Sequence, residues 1–289
     1  MSPVISPVKG HFIKFKVPEG VDYIAVNHVS WDKLAVLHYH YENDLCKIKG
    51  FLEGEDRRAP IDIELMGDLS GKRVLHSQCH FSLDTLSAAR FADTVVGLDF
   101  SENAIRNATE LSQRAGLADR ASFVCANVYD AGTVLAAESF DMIYASWGVT
   151  GWLQDLQGWA TTLCPLLKPG GSVVYAEGHP FGWTLDEKDG DQVGHLHAIS
   201  PYWQNQAIIE EWPESYIGIK IPNATCRAVE FPHTLEDFFR VFLTEDMKLE
   251  TFRESEGIPW KMFTRVVENP DDGQYYFPKV TPNCPWVSP

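Results

Sequence analysis

The sequence predicts one large α/β fold with a doubly wound, mostly parallel sheet, an N-terminal helical cap and an insertion after the fifth strand. Between residues 71 and 178, short apolar runs alternate with helical patterns, which is typical of a parallel sheet with helices on both faces. The chain has 289 residues, 45% of them hydrophobic, which is enough to bury one substantial core. Residues 180–230 are too long for a simple crossover and indicate the insertion.

Five strands are predicted in the alternating segment. Ser101 can cap the helix that follows the second strand, and Gly116 stands where that helix would end. Another amphipathic helix, over 152–167, is followed by the turn residues 168–171. The predicted strands cover 73–77, 94–100, 121–128, 140–147 and 172–178.

Two further regions flank this segment. Residues 1–70 are expected to form an arm and a helical cap, because the first 22 residues are rich in Pro and Gly and the next 30 carry apolar residues at near-helical spacing. Residues 71–289 form the main domain, with the insertion 180–230 on its substrate side. Thr234 can cap one more helix, and 247–255 resemble a sixth strand.

The amino-acid composition limits the classes of molecule that the protein is expected to bind. The formal net charge of -16 disfavours nucleic acid and anionic membrane surfaces. The six cysteines are scattered without metal-ligand spacing, and no segment approaches the length of a membrane span. We therefore expect a cytoplasmic protein with a small-molecule substrate and no metal, and the N-terminal arm leaves a homo-oligomer open.

The ends of the predicted strands carry the candidate chemistry, since open α/β sheets bind ligands there. The first strand runs into the turn 77–82, which contains no glycine, and the second ends at Asp99, whose carboxylate can accept hydrogen bonds from a ribose diol. The third ends at Asn127, which can pair with an adenine edge.

In this order the motifs resemble those of the class I methyltransferases that use S-adenosylmethionine. The resemblance covers roughly residues 71–180, and its most specific stretches are VVGLDFSENAI, FDMIYASWGV and LLKPGGSVVYAEG. It implies a Rossmann-like fold, S-adenosylmethionine as cofactor, and methyl transfer to a small hydrophobic or aromatic metabolite of secondary metabolism.

The first motif departs from the family pattern. His76 holds its acidic position, and Gln78, His80 and Ser82 hold its three glycine positions. The methyl donor has no phosphate, so the loop needs no anion cradle, and the side chains of Gln78 and His80 can replace backbone contacts to the methionine end of the donor. A dinucleotide dehydrogenase is disfavoured, because its pyrophosphate requires close approach of the backbone.

The resemblance also implies the residues of the two subsites. Those expected at the donor are Trp31, Tyr41, Ser77, Gln78, Cys79, His80, Asp99, Phe100, Asn127, Val128 and Ser146. Those expected at the acceptor are Trp147, Trp152, Phe181, Trp183, Tyr202 and Trp203, aromatic residues that suit a planar or apolar molecule and can also solvate a sulfonium.

His179 is the candidate general base, because it follows the fifth strand in AEGHP and a histidine titrates near neutral pH. Glu177, His195 and His197 are further candidates. The alternative for His179 is a histidine that holds the Pro180 turn through a backbone hydrogen bond.

Two other functions stay open on the sequence. One is an enzyme that binds the donor but promotes a cyclisation or rearrangement. The other is a non-catalytic relative that acts through protein partners.

Overall fold

The computed structural model describes residues 14–41, 47–187, 196–215, 219–221, 225–243, 245 and 247–278. The helices are α1 Tyr23–His40, α2 Ile48–Leu52, α3 Pro60–Met66, α4 Leu83–Ala89, α5 Glu102–Arg114, α6 Ala131–Val134, α7 Leu156–Leu163 and α8 Leu235–Leu243. The strands are β1 Arg73–Ser77, β2 Thr94–Asp99, β3 Ala121–Cys125, β4 Phe140–Ser146, β5 Leu167–Ala176, β6 Leu185–Asp186, β7 His197–Ala198, β8 Ile208–Trp212, β9 Cys226–Glu230, β10 Val267–Glu268 and β11 Tyr275–Tyr276.

The central sheet contains five parallel strands in the order β3-β2-β1-β4-β5. This arrangement confirms the predicted Rossmann-like, doubly wound class. Successive crossovers run outward from β1 to β3 and then return to β4, so the strand order reverses between β1 and β4. A crevice forms at such a reversal, beyond the carboxyl ends of the strands.

Both faces of the sheet are buried. Because side chains alternate along a strand, Val74 of β1 packs with Leu86 on one face while the adjacent Leu75 packs with Trp159 on the other. Trp159 of α7 is fully buried. Burial on two faces explains why these strands are continuous apolar runs in the sequence.

Three predicted ends of two helices, α5 and α8, are confirmed. The Ser101 hydroxyl accepts from the Ala104 N–H at 3.0 Å at the start of α5, and Gly116 adopts a φ of 67° just after that helix. Before α8, Thr234 and Asp237 cap each other, with the Asp237 N–H 3.3 Å from the Thr234 hydroxyl. These local signals lie within four residues of their partners, so the sequence alone carries them.

Two predictions need correction, and one helix was not predicted. Residues 247–255 form no strand, so the described sheet has five strands and not six. Strand β5 begins at Leu167 rather than at residue 172, because the turn residues that follow pair irregularly with β4. The polar stretch before the sheet contains α3, which starts at Pro60, a residue suited to the first turn of a helix.

The N-terminal helix α1 is held to the insertion by Asn27. Its side-chain amide donates to the Val229 carbonyl at 2.8 Å, and its carbonyl oxygen accepts from the Val229 N–H at 2.8 Å. Asn27 is buried, and β9 pairs with β8 in an antiparallel hairpin. The Asn27 side chain therefore pairs with both backbone groups of Val229 at the edge of β9 that faces α1. None of the helices among the described residues is long and apolar enough to cross a membrane.

Replacement of Asn27 by Ala should lower the free energy of unfolding by about 2–3 kcal/mol, because a buried N–H and a buried C=O of Val229 lose their partners. Val29→Ala on the same helix is the control, since Val29 is 53% exposed and should change stability by less than about 0.5 kcal/mol. Urea unfolding measures both values. Equal stability of the two variants would contradict the assigned contact.

Candidate cofactor and acceptor site

A cavity of about 1100 Å³ lies at the carboxyl ends of the strands. Its walls come from the loops after β1, β2, β3 and β4, from α1, and from the insertion and the C-terminal segment. The volume is in the range of small-molecule and cofactor sites. The switch point of the sheet therefore opens into a space for a ligand of nucleoside size.

The loop after β1 keeps a left-handed backbone at all three positions where glycine was expected. Gln78, His80 and Ser82 have φ values of 57°, 50° and 75°. Each non-glycine residue in this region costs on the order of 1–2 kcal/mol. The loop thus retains the path that glycine would allow, at the expense of local strain.

Asp99 fastens this loop to the end of β2. One carboxylate oxygen accepts from the His80 N–H and the other from the Ser101 N–H, both at 2.9 Å. Asp99 is 8% exposed and lines the cavity. Burial raises its pKa to about 6, while the backbone hydrogen bonds oppose that shift. Each oxygen keeps a further lone pair, so the carboxylate can also accept from a diol.

Gln78 lines the cavity and carries one unpaired acceptor among the described residues. Its Nε2 donates to the Val149 carbonyl at 3.1 Å, which ties the loop to the segment after β4. Its Oε1 is buried and has no hydrogen-bond partner among the described residues. A buried carbonyl oxygen without a partner fits a site for a donor group such as an ammonium.

The His80 side chain points toward α1. Its Nε2 lies 3.0 Å from Nδ1 of His38, and its ring meets that of Trp31 edge-on at 5.6 Å. Burial holds the pKa of both histidines low, that of His38 at about 4. The two neutral histidines join the loop to the cap, and the contact of the His80 side chain with the methionine end stays a prediction.

His76, at the acidic position of the motif, is a buried structural residue. Its Nδ1 lies 2.7 Å from the Thr85 hydroxyl and its Nε2 lies 3.4 Å from the Ser146 hydroxyl. Burial lowers its pKa to about 3. The neutral ring therefore bridges β1, α4 and β4 beneath the cavity.

Asn127 and Val128 form the wall after β3. The Asn127 side-chain carbonyl accepts from the Tyr129 N–H at 3.0 Å, so the amide is held in place by its own turn. Val128 is buried beside it, and Phe100 lines the wall from the loop after β2. These groups surround the space next to Asp99 where a base attached to the ribose would lie.

Most of the predicted donor and acceptor residues come together in this cavity. The predicted residues that line it are Trp31, Gln78, Cys79, His80, Asp99, Phe100, Asn127, Val128, Ser146, Trp147, Trp152, Trp183 and Tyr202. Four others do not: Ser77 is buried beneath the loop, whereas Tyr41, Phe181 and Trp203 are 49%, 53% and 78% exposed. Tyr41 lies at the end of α1, so its ring is not carried over the loop.

Trp260 is an acceptor-side residue that the sequence analysis missed. Its ring stacks on Trp183 at a centroid distance of 6.0 Å and meets Trp147 edge-on at 5.7 Å. A second group joins Trp31, Trp152 and Trp212 at 5.1 and 5.7 Å. The aromatic motif GIPWKMF was the available signal, in a segment without regular secondary structure.

The structure places the predicted bases differently. Glu177 accepts from the backbone N–H groups of 148, 149, 150 and 178 and from the Thr150 hydroxyl, so its carboxylate orders the loop after β4. His179 is exposed and does not line the cavity, and its Nδ1 accepts from the Phe181 N–H at 3.2 Å. This contact matches the turn-holding alternative, and the catalytic role of His179 stays a prediction. His197 is exposed, and His195 lies outside the described residues.

The topology, the loop at β1 and the carboxylate at the end of β2 define a doubly wound α/β protein with a cavity at the switch point of its sheet. Residues 75–175 match the family model described as a methyltransferase domain, so this part of the chain is similar to methyltransferase domains. The residues present fit S-adenosylmethionine, since Asp99, Asn127 and Val128 line the cavity and the buried Oε1 of Gln78 has no hydrogen-bond partner among the described residues. A search of curated proteins finds no match.

Solved structures with similar folds include three that illustrate the range. An S-adenosylmethionine-dependent methyltransferase from Mesorhizobium loti shares 20% identity at a TM-score of 0.49, over 67% of this chain and 81% of that one. The YcgJ protein of Bacillus subtilis shares 15% at 0.38, over 45% and 51%, and the [4+2]-cyclase SpnF shares 18% at 0.41, over 52% and 58%. The chain thus spans about half of YcgJ and less than two thirds of the cyclase.

Replacement of Ser82 by Gly should raise the free energy of unfolding by about 1 kcal/mol, because glycine adopts a φ of 75° without the steric cost. Ser112→Gly in α5 is the matched control, since the same change inside a helix should cost about 0.5–1 kcal/mol. Both are read from urea unfolding. A loss of stability in Ser82→Gly would show that the loop is not strained there.

Proposed function

We propose that this protein is a methyltransferase that uses S-adenosylmethionine to methylate a small, predominantly apolar or aromatic metabolite. The observation that supports it best is the left-handed loop after β1 fastened to Asp99 through the His80 N–H. When bound, the donor supplies an electrophilic methyl group on a sulfonium.

The chain's own residues orient the reactants. The Asp99 carboxylate accepts hydrogen bonds from the ribose hydroxyls, and Phe100, Asn127 and Val128 enclose the base. The two tryptophan groups around Trp152 and Trp260 form the acceptor walls. Their faces favour flat, apolar molecules and attract cationic centres. Holding the reacting groups in line within such a cavity accounts for much of the expected rate gain.

The proposed partner is a small molecule, supported by the cavity at the strand ends and by the net charge of -16, which disfavours nucleic acid and anionic membranes. The mass of the product, compared with that of the substrate, tests the reaction type. Methyl transfer adds about 14 Da, the mass of CH2, whereas a rearrangement adds nothing.

Isothermal titration with S-adenosylhomocysteine tests the cofactor. The wild-type protein should bind it, and Asp99→Ala should weaken binding by about 1–3 kcal/mol through loss of charge-assisted hydrogen bonds. Asp93→Ala is the control, since this exposed carboxylate lies before the opposite end of β2 and should leave the affinity unchanged. Failure of the folded wild-type protein to bind at millimolar ligand would remove the proposal.

Binding of 5′-methylthioadenosine, which has the nucleoside but no amino acid, should weaken in acid. The pKa of Asp99 is about 6, so the carboxylate is ionised above that pH and loses acceptor capacity as the pH falls through it. From pH 7.5 to pH 5 we expect an approximately tenfold loss of affinity. In Asp99→Asn the affinity should be lower and nearly independent of pH. A wild-type affinity constant over this range would place the ribose elsewhere.

A further inference from the structure

The methionine end of the donor carries an ammonium and a carboxylate, which call for charged partners in the cavity. The predicted partner His80 is engaged with His38. Gln78 offers one neutral oxygen. Any charged partner must therefore come from another part of the wall.

Asp84 is placed for the ammonium. It lies in the first turn of α4, two residues beyond the left-handed Ser82, and lines the cavity. Among the described residues no donor makes a hydrogen bond to its carboxylate, in contrast to Asp99 and Glu177. An ionisable group at a cavity wall without such a partner is well suited to bind a ligand cation.

The surroundings of Asp84 favour an incoming positive charge. Asp62 of α3 is fully buried, and its Oδ2 accepts from the Tyr144 hydroxyl and from Nε1 of Trp147, each at 2.7 Å. Its Oδ1 is buried without a partner in the described part of the chain. Burial, and then the Asp62 carboxylate, raise the pKa of Asp84 to about 7. A cation beside Asp84 would offset both penalties.

Arg57 brings a positive charge to the same wall. Its backbone N–H donates to the Ser87 hydroxyl of α4 at 2.9 Å, and the residue lines the cavity. The Arg57 charge counteracts the rise in the Asp84 pKa, which places the two groups within electrostatic reach. Both arginines of this segment also contact acidic residues: Nη1 of Arg57 lies 3.3 Å from Oε2 of Glu55, and Nη2 of Arg58 lies 2.6 Å from Oδ2 of Asp56. Arg57 would therefore share its charge between Glu55 and a ligand carboxylate.

We propose that Asp84 binds the ammonium and Arg57 the carboxylate of the donor's methionine end, with Oε1 of Gln78 as a second acceptor for the ammonium. The inference rests on the proposed function, because it assigns the charged end of the same cofactor. Asp99 at the end of β2 then holds the nucleoside of the donor, and the residues of the cavity wall that follow β1 hold its amino acid.

A proton linkage follows from this assignment. The groups that face Asp84 are Asp62 of α3, Tyr144 of β4, and Asp56, Arg57 and Arg58 of the segment before α3. With a pKa of about 7 in the unliganded protein, Asp84 is about half protonated at pH 7. An ammonium favours the ionised form, so binding at pH 7 releases about half a proton.

The test compares S-adenosylhomocysteine with 5′-methylthioadenosine by titration calorimetry. Asp84→Asn, which keeps the shape of the side chain, should weaken the first ligand about 10- to 100-fold and leave the second within about twofold. Arg57→Gln should change the affinities in the same pattern. The control is Glu268→Gln, which removes another carboxylate of the cavity wall and should affect neither ligand.

Proton release provides a second readout. Titrations of S-adenosylhomocysteine at pH 7 in buffers of different ionisation enthalpy should show about half a proton less released by Asp84→Asn than by wild type. Binding of 5′-methylthioadenosine should show no such difference between the two proteins.

The outcomes separate this inference from the proposed function. If wild type binds both ligands equally well, or if Asp84→Asn weakens both alike, the subsite assignment is overturned while the cofactor proposal stands. The subsite assignment is also overturned if Asp84→Asn weakens S-adenosylhomocysteine binding no more than Glu268→Gln does. If wild type binds neither ligand, both proposals fail together.

Discussion

The hydrogen bond from the His80 N–H to the Asp99 carboxylate joins the loop after β1 to the end of β2, and the rest of the site depends on it. The bond holds a loop with three alternate left-handed residues over the switch point of the sheet and keeps a buried carboxylate at the cavity wall. Strained backbone of this kind persists where the surroundings over-determine it. Here the surroundings include Gly97 of β2, where an added Cβ would lie 2.8 Å from Sγ of Cys79.

Side chains at the three glycine positions of the loop strain its backbone, but they also make contacts that hold the loop in place. The strain of Gln78, His80 and Ser82 is offset by contacts that glycine could not make, since Gln78 ties the loop to Val149 and His80 ties it to His38 of α1. The cap and the cofactor loop are thereby one packed unit. Asp32 strengthens it, because its carboxylate accepts from the Ser101 hydroxyl and the Asn103 N–H at the start of α5.

The site separates structural carboxylates from those available to a ligand. Glu177 is surrounded by N–H donors and orders the loop that carries Trp147 and Trp152, whereas Asp84 lines the cavity and accepts no hydrogen bond from the described residues. Both are acidic residues that follow a strand of the sheet, Glu177 directly after β5 and Asp84 in the helix after β1. Only their hydrogen-bond environment distinguishes a loop-ordering role from a binding role.

The sequence by itself determined the five strands, the caps at Ser101 and Thr234, and the position of Asp99, because these depend on apolar periodicity and contacts within a few residues. It also identified the cavity residues that follow the strands, from Gln78 to Ser146. Tertiary structure alone decided the placement of Trp260, the pairing of His80 with His38, the exposure of His179 and the proximity of Asp62 to Asp84. Those features join segments distant along the chain, and the direction in which a side chain points there is set by packing rather than by its neighbours in sequence.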